Sequence, residues 1–187
     1  MLILGSKSPR RKALLEGLDI QFTVRTIDID ETYPETLQSE EVPLYIAKMK
    51  ADAFCDLTKE DTLLTADTVV IVDGKILGKP ADREEAIAML QSLQNRTHTV
   101  VTGICLRRQD KIIKLKDITK VHVSTLSTNE IEYYVDTYKP YDKAGAYGIQ
   151  EWFGYIAIDH IEGSYFNVMG LPTHIVYKAI KSLDSSK

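Results

Sequence analysis

The segment between residues 63 and 72 constrains the fold more than any other part of the chain. It is almost entirely apolar and β-branched, which is typical of a strand covered on both faces. Asp67 interrupts the pattern, where strand propensity disfavours aspartate and burial of its charge is costly. The segment therefore predicts a central strand of a layered fold. Its carboxylate indicates either a functional group beside a cation or metal, or a strand end or hydrogen-bonded sheet edge.

The beginning of the chain predicts a strand followed at once by a helix. Residues 2–4 are apolar. Ser8 is a suitable N-cap, Pro9 suits the first helical position and Gly17 suits the end. The residues expected to face the core are Ala13, Leu14 and Leu18. Residues 20–24 then alternate between apolar and polar, as in a strand.

A second helix is predicted to begin at residues 39–41. Its apolar stripe consists of Val42, Tyr45, Ile46, Met49 and Ala53. With about 100° of rotation per residue, Lys50 falls at the edge of this stripe and Lys48 falls further toward solvent. Lys50 is therefore a candidate ligand-binding residue, although a lysine at a stripe edge more often covers apolar surface with its stem.

The remaining segments mix helix and strand signals without strict alternation. Strands are predicted at residues 75–77, 97–106 and 155–161, and along an alternating segment that reaches residue 126. The hairpin signal Asp73-Gly74 precedes the first of these. Helices are predicted to begin at the capping-box sequences of Asp82 with Glu85 and of Ser127 with Glu130, and after Gly170-Leu171-Pro172.

These elements predict an α/β fold with a mixed central sheet, flanking helices and two lobes around a cleft. A length of 187 residues suits one domain that spans residues 1–187. Hydrophobic residues make up 44% of the chain and charged residues 27%, as in folded soluble domains, so a core of useful size is available. Only the polar end from Ser182 onward is expected to be frayed.

The charge and the cysteines exclude several classes of protein. A formal net charge of −4 gives no global basic field for a nucleic acid, although a local basic pocket can still bind a small anion. Cys55 and Cys105 lack metal-ligand spacing and no signal peptide is recognisable, so we expect a reduced, cytoplasmic protein. No apolar run reaches the ~18 residues of a membrane span. His98 is expected to pack or to form hydrogen bonds rather than to act as a catalyst.

The turn before the first helix is a candidate phosphate site. A helix N-terminus presents unpaired N–H groups and the positive end of its dipole. Ser6 and Ser8 add hydroxyl groups, and Arg10 and Arg11 add guanidinium groups that bind phosphate oxygens bidentately. The same residues are equally consistent with a capped helix that carries two surface arginines.

Further polar residues suit the same chemistry, and each also has a plainer explanation. Lys79 lies between a glycine that allows close backbone approach and a proline that stiffens the chain, or it is a surface lysine of a turn. Glu31 ends an acidic loop and could share magnesium with Asp67, although acidic loops are usually solvated. Gln150 offers an amide donor and acceptor for a base edge, or it is a polar residue at a strand start. Lys143 precedes a segment where backbone could approach a ligand, or it lies in a flexible loop.

Six segments taken together resemble the Maf family. They are Ser6-Lys7-Ser8-Pro9-Arg10-Arg11, Ala66-Asp67-Thr68-Val69-Val70, Gly78-Lys79-Pro80, His98-Thr99-Val100-Val101-Thr102-Gly103, Asp142-Lys143-Ala144-Gly145-Ala146-Tyr147-Gly148-Ile149-Gln150 and Gly170-Leu171-Pro172. They occur in the family's order and span nearly the whole chain, so the set is highly specific although each segment alone is weak. The chain departs from the family at two places. Gly5 stands where alanine is frequent. Glu151-Trp152 stands where small residues are usual, and this second departure bears on the shape of the base pocket.

The resemblance implies a fold related to inosine triphosphate pyrophosphatases and a house-cleaning activity. Such enzymes hydrolyse a nucleoside triphosphate to the monophosphate and pyrophosphate with a divalent metal, Mg²⁺ or Mn²⁺. The family's catalytic aspartate matches Asp67, and the metal would be held by Glu31 and Asp67. The family's residues for phosphate binding match Ser8, Arg10, Arg11, Lys50 and Lys79.

The resemblance also bears on substrate choice and on partners. The positions associated with substrate choice match Arg10, Thr68 and Gln150. An arginine after Ser-Pro, together with Gln150, resembles the branch that acts on dTTP and UTP rather than the branch that acts on 7-methyl-GTP. A homodimer is implied as well, with a small nucleoside triphosphate as the ligand and neither a nucleic acid nor a membrane as a partner.

Two functions of a different class stay open from the sequence. The first is a non-enzymatic, nucleotide-binding regulator of septum formation or cell division, an association that the family name carries. Simple binding, however, needs no buried carboxylate such as Asp67 beside a triphosphate. The second is a nucleic-acid-binding module, which the net charge of −4 and the absence of a basic and aromatic stripe disfavour.

Overall fold

The computed structural model describes residues 1–184 of the chain. Within this range the strands are β1 (Leu2–Leu4), β2 (Phe22–Val24), β3 (Thr62–Val72), β4 (Lys75–Leu77), β5 (Arg96–Arg108), β6 (Lys111–Val123) and β7 (Ile158–Glu162). The helices are α1 (Pro9–Glu16), α2 (Val42–Asp52), α3 (Arg83–Leu93), α4 (Thr128–Tyr138), α5 (Trp152–Ala157), α6 (Tyr165–Val168) and α7 (Thr173–Asp184). A short 3-10 turn lies at Ala144–Ala146.

The strands form one mixed sheet, as the sequence predicted. β1 lies between β2 and β3 and is parallel to both, with Leu2 paired to Phe22 and to Thr62. The strand order is β2-β1-β3-β5-β6-β7, and β4 pairs with the end of β3. The β3–β4 and β6–β7 pairs are antiparallel. The predicted hairpin at Asp73-Gly74 is confirmed, with φ angles of 50° and 75°, which is the combination of a type I′ turn.

The chain divides into two compact units, and the first contains Met1–Thr68, Thr102–Asp117 and the chain from Gly170 onward. Its side chains follow the two-residue period of a strand along β3. The even-numbered Leu64 and Ala66 pack in a cluster with residues of α1 and α7. The odd-numbered Leu63 packs in a cluster with Ala47 and Ala51 of α2. Asp67 belongs by this period to the α2 face.

The second unit contains Val69–Val101 and Ile118–Met169. Its core is built from the ends of β3 and β6 together with α3, α4 and α5. Large buried members of this core are Leu90, Leu93, Ile131, Tyr134 and Phe153. Ser127 and Glu130 form the predicted capping box of α4. The box fixes where α4 begins, and so determines the side of the helix on which Tyr134 lies.

The inward faces predicted for the first two helices are confirmed in part: Leu14 and Leu18 pack against the core, and Val42 and Ile46 are buried. The remaining positions are corrected. In α1, Ala13 is exposed and Leu15 is fully buried, because the larger leucine buries more apolar area at the helix–sheet contact. In α2, Tyr45 is 40% exposed, while Ala47 and Ala51 are fully buried. Small side chains on this face allow the helix to lie close to the strands.

Two predictions near the C-terminus are also wrong. The segment 155–161 was predicted as a strand, but α5 extends through Ala157 and β7 begins at Ile158. Phe153 and Ala157 are both buried, and their spacing of four residues is the helical period. Helix α7 includes Ser182 and ends at Asp184, so the first residues of the expected frayed end are helical, and residues 185–187 lie outside the described part.

The helices of the described residues include none that is long and apolar enough to cross a membrane.

Close packing of α2 on β5 makes a prediction about Gly103. A Cβ atom at this position would lie 2.2 Å from the backbone nitrogen of Leu44 and 2.4 Å from the carbonyl carbon of Pro43. Backbone cannot move aside cheaply, so Gly103→Ala should lower the free energy of unfolding by about 1–3 kcal/mol, as overpacking does. Urea unfolding followed by circular dichroism measures this change.

The matched control is Gly17→Ala, where the new Cβ would meet the nearest atoms at an ordinary 3.6 Å. Its effect should be much smaller. Equal destabilisation by the two substitutions would contradict the close approach at Gly103.

Candidate active site

Asp67 lies in the interior of β3, with its side chain 14% exposed. Burial raises the pKa of its carboxyl group above the usual value, while the nearby Lys50 and Arg11 act to lower it. The group therefore combines a desolvated carboxylate with basic neighbours that compensate its charge. The strand interior, rather than a strand end, holds the carboxylate, and a cation accompanies it as the sequence suggested.

Lys50 links Asp67 to the acidic loop. Its Nζ donates to Asp67 Oδ1 at 2.8 Å and lies 3.0 Å from Glu31 Oε1. The Lys50 side chain is 17% exposed and that of Lys48 is 41% exposed, so the predicted difference between these two lysines is confirmed. A single ammonium group is thus shared by two carboxylates that the sequence separates by 36 residues.

Helix α2 is anchored to the sheet by residues of two strands, Thr65 of β3 and Arg107 of β5. The hydroxyl group of Thr65, two residues before Asp67, donates to the Ala47 carbonyl at 2.6 Å. The Arg107 guanidinium group donates to the carbonyl groups of Ala51 and Phe54 at 2.8 and 2.7 Å. The bond to Ala51 satisfies one of the carbonyl groups that the end of α2 would leave unpaired. Together, these bonds fix the turn of α2 that carries the lysine.

The opening turn is confirmed as a capped helix start. Ser8 is the N-cap, and its Oγ accepts from the backbone N–H of Arg11 at 3.4 Å. Ser6 Oγ accepts from the backbone N–H of Ser8 at 3.2 Å. Arg10 lies on the same turn and is half-buried. The two serine hydroxyl groups and two guanidinium groups are therefore concentrated within one turn of chain.

Arg11 differs from the surface arginine that the plainer explanation required. Its Nε donates to the Gly170 carbonyl at 2.8 Å, and its Nη1 donates to the Ala66 carbonyl at 2.9 Å and to Ser6 Oγ at 3.4 Å. Its Nη2 donates to Thr68 Oγ1 at 3.0 Å. Most of its N–H groups are used within the protein, and two of them hold the residues on either side of Asp67.

Thr68 is held by a second hydroxyl group as well. Its Oγ1 lies 2.9 Å from Thr102 Oγ1 on β5.

The first unit contains most of the predicted site residues and brings them together through the contacts described above. These residues are Ser8, Arg11, Glu31, Lys50, Asp67 and Thr68.

Lys79 and Gln150 belong to the second unit. Lys79 is exposed, and it follows Gly78, whose carbonyl accepts from the backbone N–H of Gly145 at 3.0 Å. Gln150 is half-buried, and its Oε1 is inaccessible to solvent without a hydrogen-bond partner among the described residues. A buried acceptor without a donor is costly, so this oxygen is suited to a donor that arrives with a ligand.

The two acidic residues of the site fit a divalent metal in part. The described residues contain no group of three or more histidine, cysteine, aspartate or glutamate side chains that could hold a metal ion. Asp67 and Glu31 nevertheless place oxygen atoms around the same cation, the Lys50 ammonium group. Mg²⁺ is commonly held by one or two carboxylates, with phosphate oxygens and water as further ligands. The pair therefore fits a metal that arrives together with a polyphosphate.

The sequence missed several residues that the structure brings to these sites. Thr65 and Thr102 are two of them, since a threonine in a strand is ordinary and carries no separate signal. His98 behaves as predicted: it is buried, its Nε2 lies 2.7 Å from Tyr147 Oη, and burial lowers its pKa to about 4. Lys143, which the sequence left between a ligand-binding residue and a flexible loop, is 8% exposed.

The chain belongs to the family described as Maf-like protein, whose profile matches residues 1–183. A dTTP/UTP pyrophosphatase of Porphyromonas gingivalis is 54% identical over 189 residues, with 99% of this chain and 95% of that protein covered. A dTTP/UTP pyrophosphatase of Parabacteroides distasonis is 52% identical, with 96% and 94% covered.

Among solved structures, the Staphylococcus aureus Ham1 protein is similar over 65% of this chain and 71% of that chain, with a TM-score of 0.43 and 16% identity. The relation to inosine triphosphate pyrophosphatases stays a prediction.

The hydrogen bonds of Arg11 predict that lysine cannot replace it. Lysine keeps the charge but has one donor atom in place of the guanidinium fork, so the carbonyl groups of Ala66 and Gly170 would lose partners. Arg11→Lys should lower the free energy of unfolding by about 1–3 kcal/mol. Arg96→Lys, at an exposed arginine that pairs with Asp73, is the control, and its effect should stay within roughly 0.5 kcal/mol. Equal effects in urea unfolding would contradict the bracing role.

The raised pKa of Asp67 predicts how stability depends on pH without nucleotide or divalent metal. The folded state holds the Asp67 proton more tightly than the unfolded chain does. Above the folded pKa, the ionised carboxylate therefore lowers the free energy of unfolding. Below the ordinary pKa of 3.8 the group is protonated in both states, and this loss disappears. Asp67→Asn should therefore raise the melting temperature at neutral pH. The difference from the wild type should vanish as the pH falls below 3.8.

Asp56→Asn is the control for this prediction, because Asp56 is exposed and pairs with Arg25. It should not stabilise the protein at neutral pH. A lower melting temperature of Asp67→Asn than of the wild type at neutral pH would contradict the dominance of burial over the basic neighbours.

Proposed function

We propose that this chain hydrolyses nucleoside triphosphates, dTTP and UTP foremost, to the monophosphate and pyrophosphate, as house-cleaning of the nucleotide pool. The observation that carries the proposal is the buried Asp67 carboxylate in contact with Lys50, on a strand that Arg11 braces. The two relatives above support it, since both are named dTTP/UTP pyrophosphatase. Membership in the Maf-like family supports it as well.

In the proposed mechanism Asp67 acts as the general base. Its carboxylate takes a proton from a water molecule, whose oxygen attacks the α-phosphorus. The bond between that phosphorus and the oxygen bridging to the β-phosphate breaks, and pyrophosphate leaves with the electron pair. A carboxyl group whose pKa is raised by burial is a stronger base than an exposed aspartate, which suits this task near neutral pH.

The basic residues stabilise the charge that develops on the phosphate oxygens. Lys50 is placed next to the base, Arg10 lies on the first turn of α1, and the helix N-terminus behind Ser8 adds its dipole. Lys79 of the second unit is proposed to bind the phosphates as well. Most N–H groups of Arg11 donate to other groups of the protein. We therefore propose that its main role is to hold Asp67 and Thr68 in place.

A divalent metal, Mg²⁺ or Mn²⁺, is proposed as the cofactor. Asp67 and Glu31 would hold it, and when bound it supplies polarisation of the phosphate and acidification of water. Because both carboxylates contact Lys50 in the structure, we propose that Lys50 compensates their charge until the metal and the triphosphate enter. Thr68 and Gln150, together with Arg10, are proposed to contribute to substrate choice.

The competing non-enzymatic role finds no support in the site. A binding protein for a polyanion gains nothing from a desolvated carboxylate, because that charge repels phosphate. A cytoplasmic location is proposed because the substrates are free nucleotides and because Cys55 and Cys105 are both unpaired. The homodimer implied by the family resemblance stays a prediction.

The general-base role predicts the result of Asp67→Asn. The amide keeps the size of the side chain but cannot accept the proton, so pyrophosphate release from UTP should fall by about 10²–10⁴-fold in kcat/KM. Binding of UTP, measured by calorimetry, should persist. Asp56→Asn removes the same charge at an exposed position and should leave turnover unchanged. Wild-type turnover in Asp67→Asn would exclude Asp67 as the base.

A further inference from the structure

The turn of residues 148–151 in the second unit is closed by its own ring of hydrogen bonds. The backbone N–H of Glu151 donates to the Gly148 carbonyl at 3.0 Å. The backbone N–H of Gly148 donates to Tyr134 Oη at 3.0 Å, and Tyr134 Oη donates to Glu151 Oε2 at 2.5 Å. Both ends of the turn are therefore held by the same phenol group. Gln150 lies between these ends.

A buried lysine completes the ring. Lys143 Nζ lies 3.1 Å from Glu151 Oε1 and donates to Asp142 Oδ1 at 2.7 Å. The Lys143 side chain is 10% exposed and that of Glu151 is 20% exposed. Burying two charges is costly, and such a pair is weak evidence for a stabilising role. A role in specifying one local conformation suits it better.

The phenol group of Tyr134 is a dependable donor in this arrangement. Tyr134 is fully buried in α4. Burial raises the pKa of its hydroxyl group, and the hydrogen bond to the Glu151 carboxylate raises it further. The phenol therefore stays protonated, and its proton is committed to the carboxylate. The Glu151 carboxylate is in turn fixed by Tyr134 on one oxygen and by Lys143 on the other.

The side chains of Gln150 and Glu151 lie next to each other over Gly148. A Cβ atom at Gly148 would lie 2.8 Å from Glu151 Cδ and 2.9 Å from Gln150 Nε2. The Gln150 amide nitrogen is thus on the side of the carboxylate, and Gln150 Oε1 is the buried oxygen without a partner. A negative charge favours the NH₂ end of a carboxamide and repels its oxygen. Glu151 is therefore placed to favour the orientation that turns the carboxamide nitrogen toward its carboxylate.

The orientation of a glutamine side chain decides which base it can read. In one orientation a carboxamide accepts an N–H and donates to a neighbouring carbonyl, which matches uracil and thymine. After a half-turn about its last torsion, the same group donates to a ring nitrogen and accepts from an amino group, which matches cytosine. A free glutamine can adopt both orientations. A glutamine held in one orientation rejects the other base, because its buried groups are left unpaired.

We propose that Glu151, held by Tyr134 and Lys143, is a positioning residue that fixes the Gln150 carboxamide to read a base with an N–H beside a carbonyl. This inference rests on the proposed function, because it assumes that Gln150 contacts the base of a triphosphate. It assigns a role to Glu151, the first residue of the Glu151-Trp152 departure from the family pattern. It also explains the burial of Lys143, since the ring needs a cation beside the carboxylate.

The test compares UTP with CTP in the wild type, Glu151→Gln and Tyr134→Phe. Glu151→Gln keeps the size of the side chain and removes the charge that orients Gln150. Tyr134→Phe keeps the ring in the core and removes the hydroxyl group that joins Gly148 to Glu151. In both variants the ratio of kcat/KM for UTP to that for CTP should fall by about tenfold. The kcat for saturating UTP should change little, because the reacting groups are untouched.

Two controls match these variants. Glu162→Gln removes a carboxylate that pairs with Lys120 at the surface of the same unit, and Tyr133→Phe removes a hydroxyl group from the exposed neighbour on α4. Both should keep the wild-type ratio. In a Gln150→Ala background, Glu151→Gln should have no further effect on the ratio, because a positioning residue acts only through the residue that it positions.

The outcomes separate this inference from the function on which it rests. Absence of pyrophosphate release from every triphosphate by the wild type would overturn both. An active wild type with an unchanged ratio in Glu151→Gln and Tyr134→Phe would overturn the positioning role alone. So would a fall of the ratio that persists in the Gln150→Ala background. If Glu151→Gln fails to fold, as circular dichroism would show, a wild-type ratio in folded Tyr134→Phe overturns it equally.

Discussion

A carboxylate in the middle of a buried strand is stable only with a cation beside it, and in this chain Lys50 supplies that cation to Asp67. The contact requires α2 to lie close to β3 and at a fixed position along the strand. Thr65 and Arg107 donate hydrogen bonds to carbonyl groups of α2 and fix that position. Fully buried alanines on the helix face and Gly103 on β5 allow the close approach.

The same strand is held from its other face by Arg11. This residue was expected to bind phosphate, yet its donors are directed mainly at Ala66, Thr68 and Gly170. A guanidinium group that braces both neighbours of Asp67 limits the movement of the proposed base when substrate charge enters. Preorganised polar groups of this kind contribute to catalysis without reorganising during the reaction. In the proposed mechanism, phosphate binding is therefore assigned mainly to Lys50, Arg10 and the N-terminus of α1.

Much of this arrangement follows from local patterns in the sequence, and the remainder depends on contacts distant along the chain. The caps at Ser8 and Ser127 were predictable because capping uses residues three positions apart. The position of Lys50 at the edge of the buried face of α2 followed from the rotation per residue of a helix. The burial of Ala47 and Ala51 on α2 did not, because it depends on which side chains let the helix approach the sheet. The ring around Glu151 joins α4 to a later turn, and no local period marks such a pair.

The central claim is that water, activated by Asp67, attacks the α-phosphorus. Hydrolysis of UTP in water enriched with ¹⁸O tests this most directly, with the products resolved by mass spectrometry. The account predicts that one ¹⁸O atom appears in the phosphate of UMP and none in pyrophosphate. Label in pyrophosphate, or release of labelled orthophosphate, would place the attack on another phosphorus and contradict the account.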